Sequence, residues 1–328
     1  MKEQFNTFKQ TFLENTLDHL WNQWSILGVA GAGDTRDLGI VDPEALILLS
    51  IELAEQDLRL FDEMLSWLVA NGELINTKRL LKLHDQYQFL SNRILAGMAE
   101  HISGNHVNWK RLVNLDYSGE EEVHWLPVNT SKKNMDPRFA RHAVHRSVFK
   151  DRGLSSRFNF THPHAILPRL RSLLGMNAHC EILCYFSDGR RVHASKAARD
   201  LAYSQKAIQE TLVSMEKVAG VTSYQEGKTK LYSLNQSLWQ SLIPNDVKWT
   251  NPIEKYALTK DVWRLLHKYQ PDSENIQLTA TLIKNEYLTW KIKYPAFYDS
   301  SLEHETDKMF LEKWMQLVSD LVSTHYTS

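Results

Sequence analysis

The chain has 328 residues, 43% hydrophobic and 23% charged, which is room for two or three domains with substantial cores. No apolar run approaches the roughly 18 residues of a transmembrane helix, and the polar start MKEQFNTFKQTFLEN lacks the apolar core of a secretory signal. With two cysteines, the expectation is a cytoplasmic protein with reduced thiols and no membrane association.

The net charge of −1 hides an asymmetry. Residues 1–130 hold 10 Lys and Arg against 19 Asp and Glu, residues 131–163 hold 8 against 2, residues 164–234 hold 10 against 6, and residues 235–328 hold 10 against 12. A basic middle between acidic ends fits a polyanion partner. It also fits a basic segment lying on the acidic domain and neutralising it.

Phe5, Phe8, Phe12, Leu13, Leu17, Leu20, Trp21 and Trp24 recur at three- and four-residue spacing and predict a helix over residues 3–25. The stretch Gly28–Gly39 has neither GxxxxGK[ST] nor GxGxxG and no preceding strand, so it reads as a flexible connection and not a phosphate loop. Asp42-Pro43 pairs an N-cap with a proline at the first helical position and starts the helix EALILLSIELAEQ. A second helix begins near Asp57 and closes at Asn71-Gly72; a third runs from Asn76-Thr77 through RLLKLHDQYQFLSNRILAGMAEHI. Residues 1–130 are thus expected to be an acidic helical domain. Lys78, Arg79 and Lys82 would be the outward face of any degenerate helix-turn-helix there, but the acidic surroundings argue against duplex contact.

Glycine, proline and asparagine interrupt residues 104–163 repeatedly, and residues 131–163 read as a basic linker. EEVHWLPV is a short strand or an extended arm, and DPRFARHAVHRSVFKDRG a short helix capped by Asp136. His142, His145, His162 and His164 cluster here. No GxSxG or DxD accompanies them, and the arginine-rich setting favours nucleic-acid contact or packing over a base or a metal site.

The string HAILPRLRSLLG predicts a helix leading into residues 164–242. A helix Ala178–Phe186 follows, ended by Ser187-Asp188-Gly189, then a small helix KAARDL capped by Ser195. Ala202-Tyr203 make a turn, and Ser204 caps a helix from Gln205 to Ala219 whose buried stripe is Ile208, Leu212, Met215 and Ala219. Gln205, Lys206, Gln209, Glu210 and Val213 lie opposite. Glutamine can bond adenine through two atoms, and lysine can reach guanine or phosphate. Val221–Tyr224 and Lys230–Leu234 are β-prone about Gln225-Glu226-Gly227-Lys228, a hairpin pattern.

On Ser204, Ile208, Leu212, Met215, Ala219-Gly220-Val221 and Leu231-Tyr232-Ser233-Leu234, this stretch resembles the winged helix-turn-helix transcriptional regulators of bacteria. The resemblance is confined to this stretch and implies a central winged helix-turn-helix with a small β-hairpin wing over 164–242; with the helical patterns on either side, the expectation is a mainly α chain with a helical N-terminal domain and a helical C-terminal domain over 243–328. It also implies DNA contact through the recognition helix and wing, here Gln205, Lys206, Gln209, Lys228 and Lys230. Ser195 and Ser204 at the helix starts, and Arg190-Arg191 ahead of the second helix, complete the expected DNA-binding set.

Cys180 and Cys184 are four residues apart beside His179. Without CxxC, CxC or HExxH they read as small core hydrophobes, and neither metal nor cofactor is expected. The tail predicts helices over about 252–268, 275–292 and 302–325, punctuated by Pro271 and Pro295. Leu311, Trp314, Met315, Val318 and Leu321 form a stripe that is either core or a dimer seam. The expectation is a sequence-specific duplex-DNA-binding transcriptional regulator, homodimeric, with a small-molecule or protein effector site on its helical domains. No catalytic constellation appears. The alternative is an antitoxin-like or other protein-interaction module built on the same scaffold.

Overall fold

A computed structural model of the full chain describes every residue except 30–38, 90, 126–133, 154–157, 159–160, 245, 270–275 and 328. Most of the expected Gly28–Gly39 connection, and Pro271, lie outside the described residues. The fold is mainly helical with two small sheets. It divides into two compact units, one of Met1–Leu20 with Glu254–Ser328, the other of Gly39–Ile253 with the stretch beginning at Trp21. This differs from the expected boundaries at residues 130, 163 and 242. The first helix contributes to both units, and residues between 42 and 201 meet in one buried ionic network.

Helix α1 (Lys2–Leu27) follows the predicted periodicity. Its end is fixed by two tryptophans: Trp24 Nε1 donates to Ser50 Oγ at 2.9 Å, and Trp67 Nε1 donates to the Leu27 carbonyl at 2.7 Å. Helix α2 (Pro43–Glu52) starts where predicted, with the Asp42 carboxylate accepting from Ala45 N at 3.1 Å. All ten of its residues are buried, which marks a central helix. Helix α3 (Leu58–Asn71) is capped by Asp57. Gly72 does not take the left-handed cap expected of it. Its φ is −63°, and it enters a 3-10 turn where an added Cβ would meet His106 at 2.7 Å and Ile102 at 2.9 Å. Close approach, not positive φ, is what requires glycine there.

The long third helix is two: α4 (Thr77–Tyr87) and α5 (Asn92–Ile102). Gln88 turns left-handed at φ 55°, and Phe89 turns inward as a buried side chain. Glu120 accepts from Ser91 Oγ at 2.9 Å and Asn92 N at 3.1 Å, holding the break open. Further on, β1 (Val123–His124) pairs in parallel with β2 (Val144–His145). Between them lies the short helix α6 (Pro137–Ala140), capped by Asp136 as expected. The basic segment is partly neutralised by the acidic N-terminal helices. Arg146, buried, pairs with Asp62 at 2.6 Å, and Arg141 pairs with Glu100 at 3.0 Å.

Helices α7 (Ile166–Leu174) and α8 (Ala178–Tyr185) follow the sequence expectation. Strand β3 (Val192–His193) was not anticipated, and it precedes α9 (Ala194–Asp200). Helix α10 (Gln205–Lys217) leads into β4 (Val221–Glu226) and β5 (Thr229–Leu234), then the short α11 (Gln236–Trp239). The sheet order is β3-β5-β4, antiparallel throughout, with Val192 opposite Tyr232 and Val221 opposite Leu234. Ile208, Leu212 and Met215 are buried as expected, but Ala219 is exposed and leaves the stripe.

Both α9 and α10 end in the same device. Ala202 and Ala219 each take φ 56°; Tyr203 N and Gly220 N bond back to the carbonyls of Ala198 at 2.9 Å and Met215 at 2.8 Å. These are Schellman ends with alanine where glycine is usual. In the C-terminal unit, α12 (Pro252–Lys268), α13 (Ile276–Lys293) and α14 (Asp307–Thr327) match the expected helices. Leu311, Trp314, Met315 and Val318 are buried in the chain's own core, with Trp314 edge-on to Phe8 at 5.9 Å, so this stripe is not an open seam.

A left-handed alanine costs roughly 1–2 kcal/mol, part of which glycine's larger unfolded-state entropy cancels. Ala219→Gly is therefore expected to raise the unfolding free energy by roughly 0.5–1 kcal/mol. Ala202→Gly gains less, because its methyl is buried. Urea midpoints at constant slope check this, and an unchanged or lowered midpoint for Ala219→Gly contradicts it.

Candidate nucleic-acid interface

The outward face of α10 carries Gln205, Lys206 and Glu210, all exposed. Lys206 Nζ stands 3.9 Å from Glu210, one turn on, and its side chain is 85% exposed. Ser204 accepts from Ala207 N at 3.2 Å and is the cap the sequence predicts. Gln209 is different: its amide donates to Tyr232 Oη at 2.9 Å, so β5 holds it from within.

The residues ahead of α9 also divide. Arg190 forks onto Asp188 at 2.5 to 2.8 Å, donates to the Trp249 carbonyl at 3.2 Å and lies over the Tyr185 ring. Burial lowers its pKa, and Asp188 more than reverses that. It is an internal strap and not an open phosphate contact. Arg191 is exposed and places its guanidinium 4.3 Å above Tyr224 of β4. Ser195 is not the cap of α9. His193 takes that position, its Nδ1 accepting from Ser195 N at 3.2 Å and Ser195 Oγ at 2.7 Å. On the hairpin, Lys228 is exposed beside Gly227, whose φ is 58°. Lys230 instead reaches Glu216 on α10 at 2.8 Å. Hydrogen bonds from Lys230 and Ser223 lower the Glu216 pKa, and Glu216 raises that of Lys230. Gln205, Lys206, Arg191 and Lys228 are thus the outward-facing members, while Arg190, Gln209 and Lys230 fix the geometry behind them.

What positions the turn before α10 is a buried network that sequence reading missed. Arg79, far from an outward face, is 2% exposed. Its guanidinium forks onto Asp42 at 2.8 and 2.5 Å, donates to Glu44 at 2.5 Å, and places Nε on the Leu201 carbonyl at 3.0 Å. Arg171 forks onto Glu44 at 2.7 and 2.7 Å and reaches Glu181 at 2.7 Å. Asn76 N donates to Glu44 at 2.7 Å, and Asn76 Nδ2 donates to Tyr203 Oη at 3.0 Å. Tyr185 Oη donates to Asp200 at 2.6 Å, tying α8 to α9. Burial raises the Asp42 pKa, but Arg79, Ala45 N–H and Arg171 override it and hold the carboxyl below its usual range. Helices α2, α4, α7 and α8 thereby grip both the carbonyl and the tyrosine that bracket the α9–α10 turn.

Other chemistry is sparse. Cys180 and Cys184 are buried free thiols; burial, with Glu181 adding to it, pushes Cys180 up to about 12, so the thiolate is disfavoured. The four histidines do not form one site. His142 faces Glu100 at 3.5 Å, His164 Nδ1 bonds the Gly39 carbonyl at 2.9 Å, and His162 stands beside His164. Among the described residues, Glu122, His124 and His145 bring ligand atoms within 4.8 Å. The two rings stack at 4.5 Å and 15°, and both Nε2 atoms face Glu122 Oε2, at 3.5 Å from His124 and 3.1 Å from His145.

No protein-family model, curated protein or solved structure matches this chain.

Two outcomes follow from the network. Arg171→Ala leaves Glu44 and Glu181 buried without their partner and is expected to cost about 3–5 kcal/mol in chemical denaturation; a loss below about 1 kcal/mol contradicts the account. Asp42 has a folded pKa below its unfolded value of about 3.9. Its contribution is full above that value and is lost as pH falls through the folded one. The stability gap between the parent and Asp42→Asn is expected to be level from pH 7 to 5 and to narrow below about pH 4. A gap that stays constant down to pH 3 contradicts this.

Proposed function

We propose that residues 164–242 are a winged helix-turn-helix that binds duplex DNA, with α10 entering the major groove and the β4–β5 hairpin as its wing. The chain then acts as a cytoplasmic, homodimeric transcriptional regulator. The observation that carries this reading is the element order α8-β3-α9-α10-β4-β5, with β3 closing onto β5 in an antiparallel β3-β5-β4 sheet. The order leaves Gln205 and Lys206 at the free N-terminal end of α10, the part of a recognition helix that meets base edges. Arg191 and Lys228 stand at the hairpin, where the phosphate backbone would run. A folded positional scaffold lies behind them, in the Gln209–Tyr232 and Lys230–Glu216 contacts. The helical regions outside 164–242 are the place for dimerisation and for an effector.

A second reading, a protein-interaction or antitoxin-like module on the same scaffold, is favoured by one observation. Glu210 faces outward on α10, and Arg190 and Lys230 are engaged internally, which thins the positive charge of the face.

The two readings part in one titration. Fluorescence anisotropy with a labelled random-sequence duplex is expected to give affinity that falls steeply between 50 and 200 mM salt, as phosphate contacts require. Lys206→Ala with Lys228→Ala should flatten that slope by about one per lost phosphate contact without shifting the melting midpoint. Absence of salt-dependent binding in the parent rejects the DNA reading and leaves the interaction module.

A further inference from the structure

Beside the α9–α10 turn is an open cleft of about 1080 Å³, with Tyr203 and Ser204 on one wall. The other wall comes from the acidic N-terminal region, yet it is basic. Lys78 and Lys82 stand one turn apart on α4, and Lys110 and Arg111 follow each other in the 3-10 turn Val107–Leu112. All four side chains are exposed. Among the described residues none of them has a carboxylate partner; Glu73 on the rim faces His106 at 3.1 Å. In the neighbouring module Arg190, Lys196 and Lys230 are paired with carboxylates, while Arg191 and Lys228 face outward. Partial burial lowers the pKa of Lys82 and of Arg111, and no counter-charge offsets it.

The platform is rigid. Asn108 Nδ2 donates to the carbonyls of Gly72 and Ile75 at 3.1 Å each, and Thr77 Oγ1 donates to the Asn108 carbonyl at 3.0 Å. The same α4 start is bonded to the turn through Asn76 and Tyr203 at 3.0 Å and through Arg79 and Leu201 at 3.0 Å. The four cations therefore stand in a fixed relation to the N-terminal end of α10.

We propose that this cleft is a second phosphate-contact surface, which takes the sugar–phosphate backbone of the same duplex whose major groove receives α10. It rests on the DNA-binding reading above. The cations are spread along two elements, two on each, which suits a repeating polyanion better than a single small one. A duplex presents one charge per roughly 1.7 Å of axis, so a row of cations meets successive partners. One wall of the cleft is also the cap of α10 itself, so a strand leaving the groove passes the row. The acidic N-terminal region would thus contribute to DNA contact through this basic row.

The test uses the full chain and a labelled random-sequence duplex, with anisotropy read from 50 to 200 mM salt. The variant is Lys78→Gln, Lys82→Gln, Lys110→Gln and Arg111→Gln together; these exposed, unpaired sites leave the fold intact, which the melting midpoint checks. A charge-preserving set, with Lys78, Lys82 and Lys110 changed to Arg and Arg111 to Lys, is the second variant. The expected result is a slope of log affinity against log salt shallower by about 0.9 for each cation that meets a phosphate, restored in the charge-preserving set. A parent that binds duplex, with a glutamine variant of unchanged slope, overturns the cleft and leaves α10 as the reader. A slope unchanged while binding of ATP, followed by titration, is lost assigns the cleft to a free polyphosphate and likewise overturns the proposal. A parent without salt-dependent duplex binding overturns both readings.

Discussion

Two guanidinium groups buried among three carboxylates organise this protein. Arg79 and Arg171 meet Asp42, Glu44 and Glu181 at 0 to 1% side-chain exposure. Such groups are costly to take out of water, and the cost is met only when geometry is close and the remaining donors are satisfied. Here nearly all are: both guanidinia fork onto carboxylates, and their spare N–H groups find the Leu201 and Leu74 carbonyls. Among the acceptors, Glu181 Oε2 has no hydrogen-bond partner in the structure. The network's contribution is geometric as much as energetic. A planar fork admits few orientations, so four helices and one turn are held in a single arrangement.

That arrangement explains why two regions of opposite charge character act together. The N-terminal helices are acidic overall, yet they supply both the clamp on the α9–α10 turn and the basic row beside it. The wing side is built by weaker means: Gln209 on Tyr232, Lys230 on Glu216, Arg191 over Tyr224. Exposed ion pairs and ring contacts of that kind contribute little to stability but restrict side-chain direction. The exposed face formed by α10 and the hairpin is therefore held most firmly at its turn and least firmly at its hairpin.

Much of this was legible where the signal is local. Asp42-Pro43, Asp57, Asn76, Asp136 and Ser204 all cap helices as their residue types require, and the hairpin about Gly227 formed where expected. What was not legible depends on distant partners. A two-residue strand such as Val192–His193 has no periodicity to read, and it exists because β5 offers it an edge. Arg79 reads as a surface residue until Asp42 and Glu44 are known to face it. Gln209 looks like a base reader until Tyr232 takes its amide. The helix 77–102 pattern was continuous in hydrophobicity but broken by Glu120, a residue outside it. Segment charge left two readings open, a polyanion partner and self-neutralisation, and the pairing of Arg146 with Asp62 and of Arg141 with Glu100 is of the second kind.

The span of the network also sets when it can form. Glu44 and Arg171 are 127 residues apart, and at roughly 5–20 residues per second of synthesis that interval is on the order of 6–25 s. Within it, Arg79 becomes available to Asp42 and Glu44 well before Arg171 does, so the two halves of the network have different histories. Helix α2 also packs on α3 and α4, so part of its native environment precedes α7 and α8. The network is thus assembled in two parts, an Arg79 half whose carboxylates lie within 37 residues of it and an Arg171 half that waits for α7 and α8.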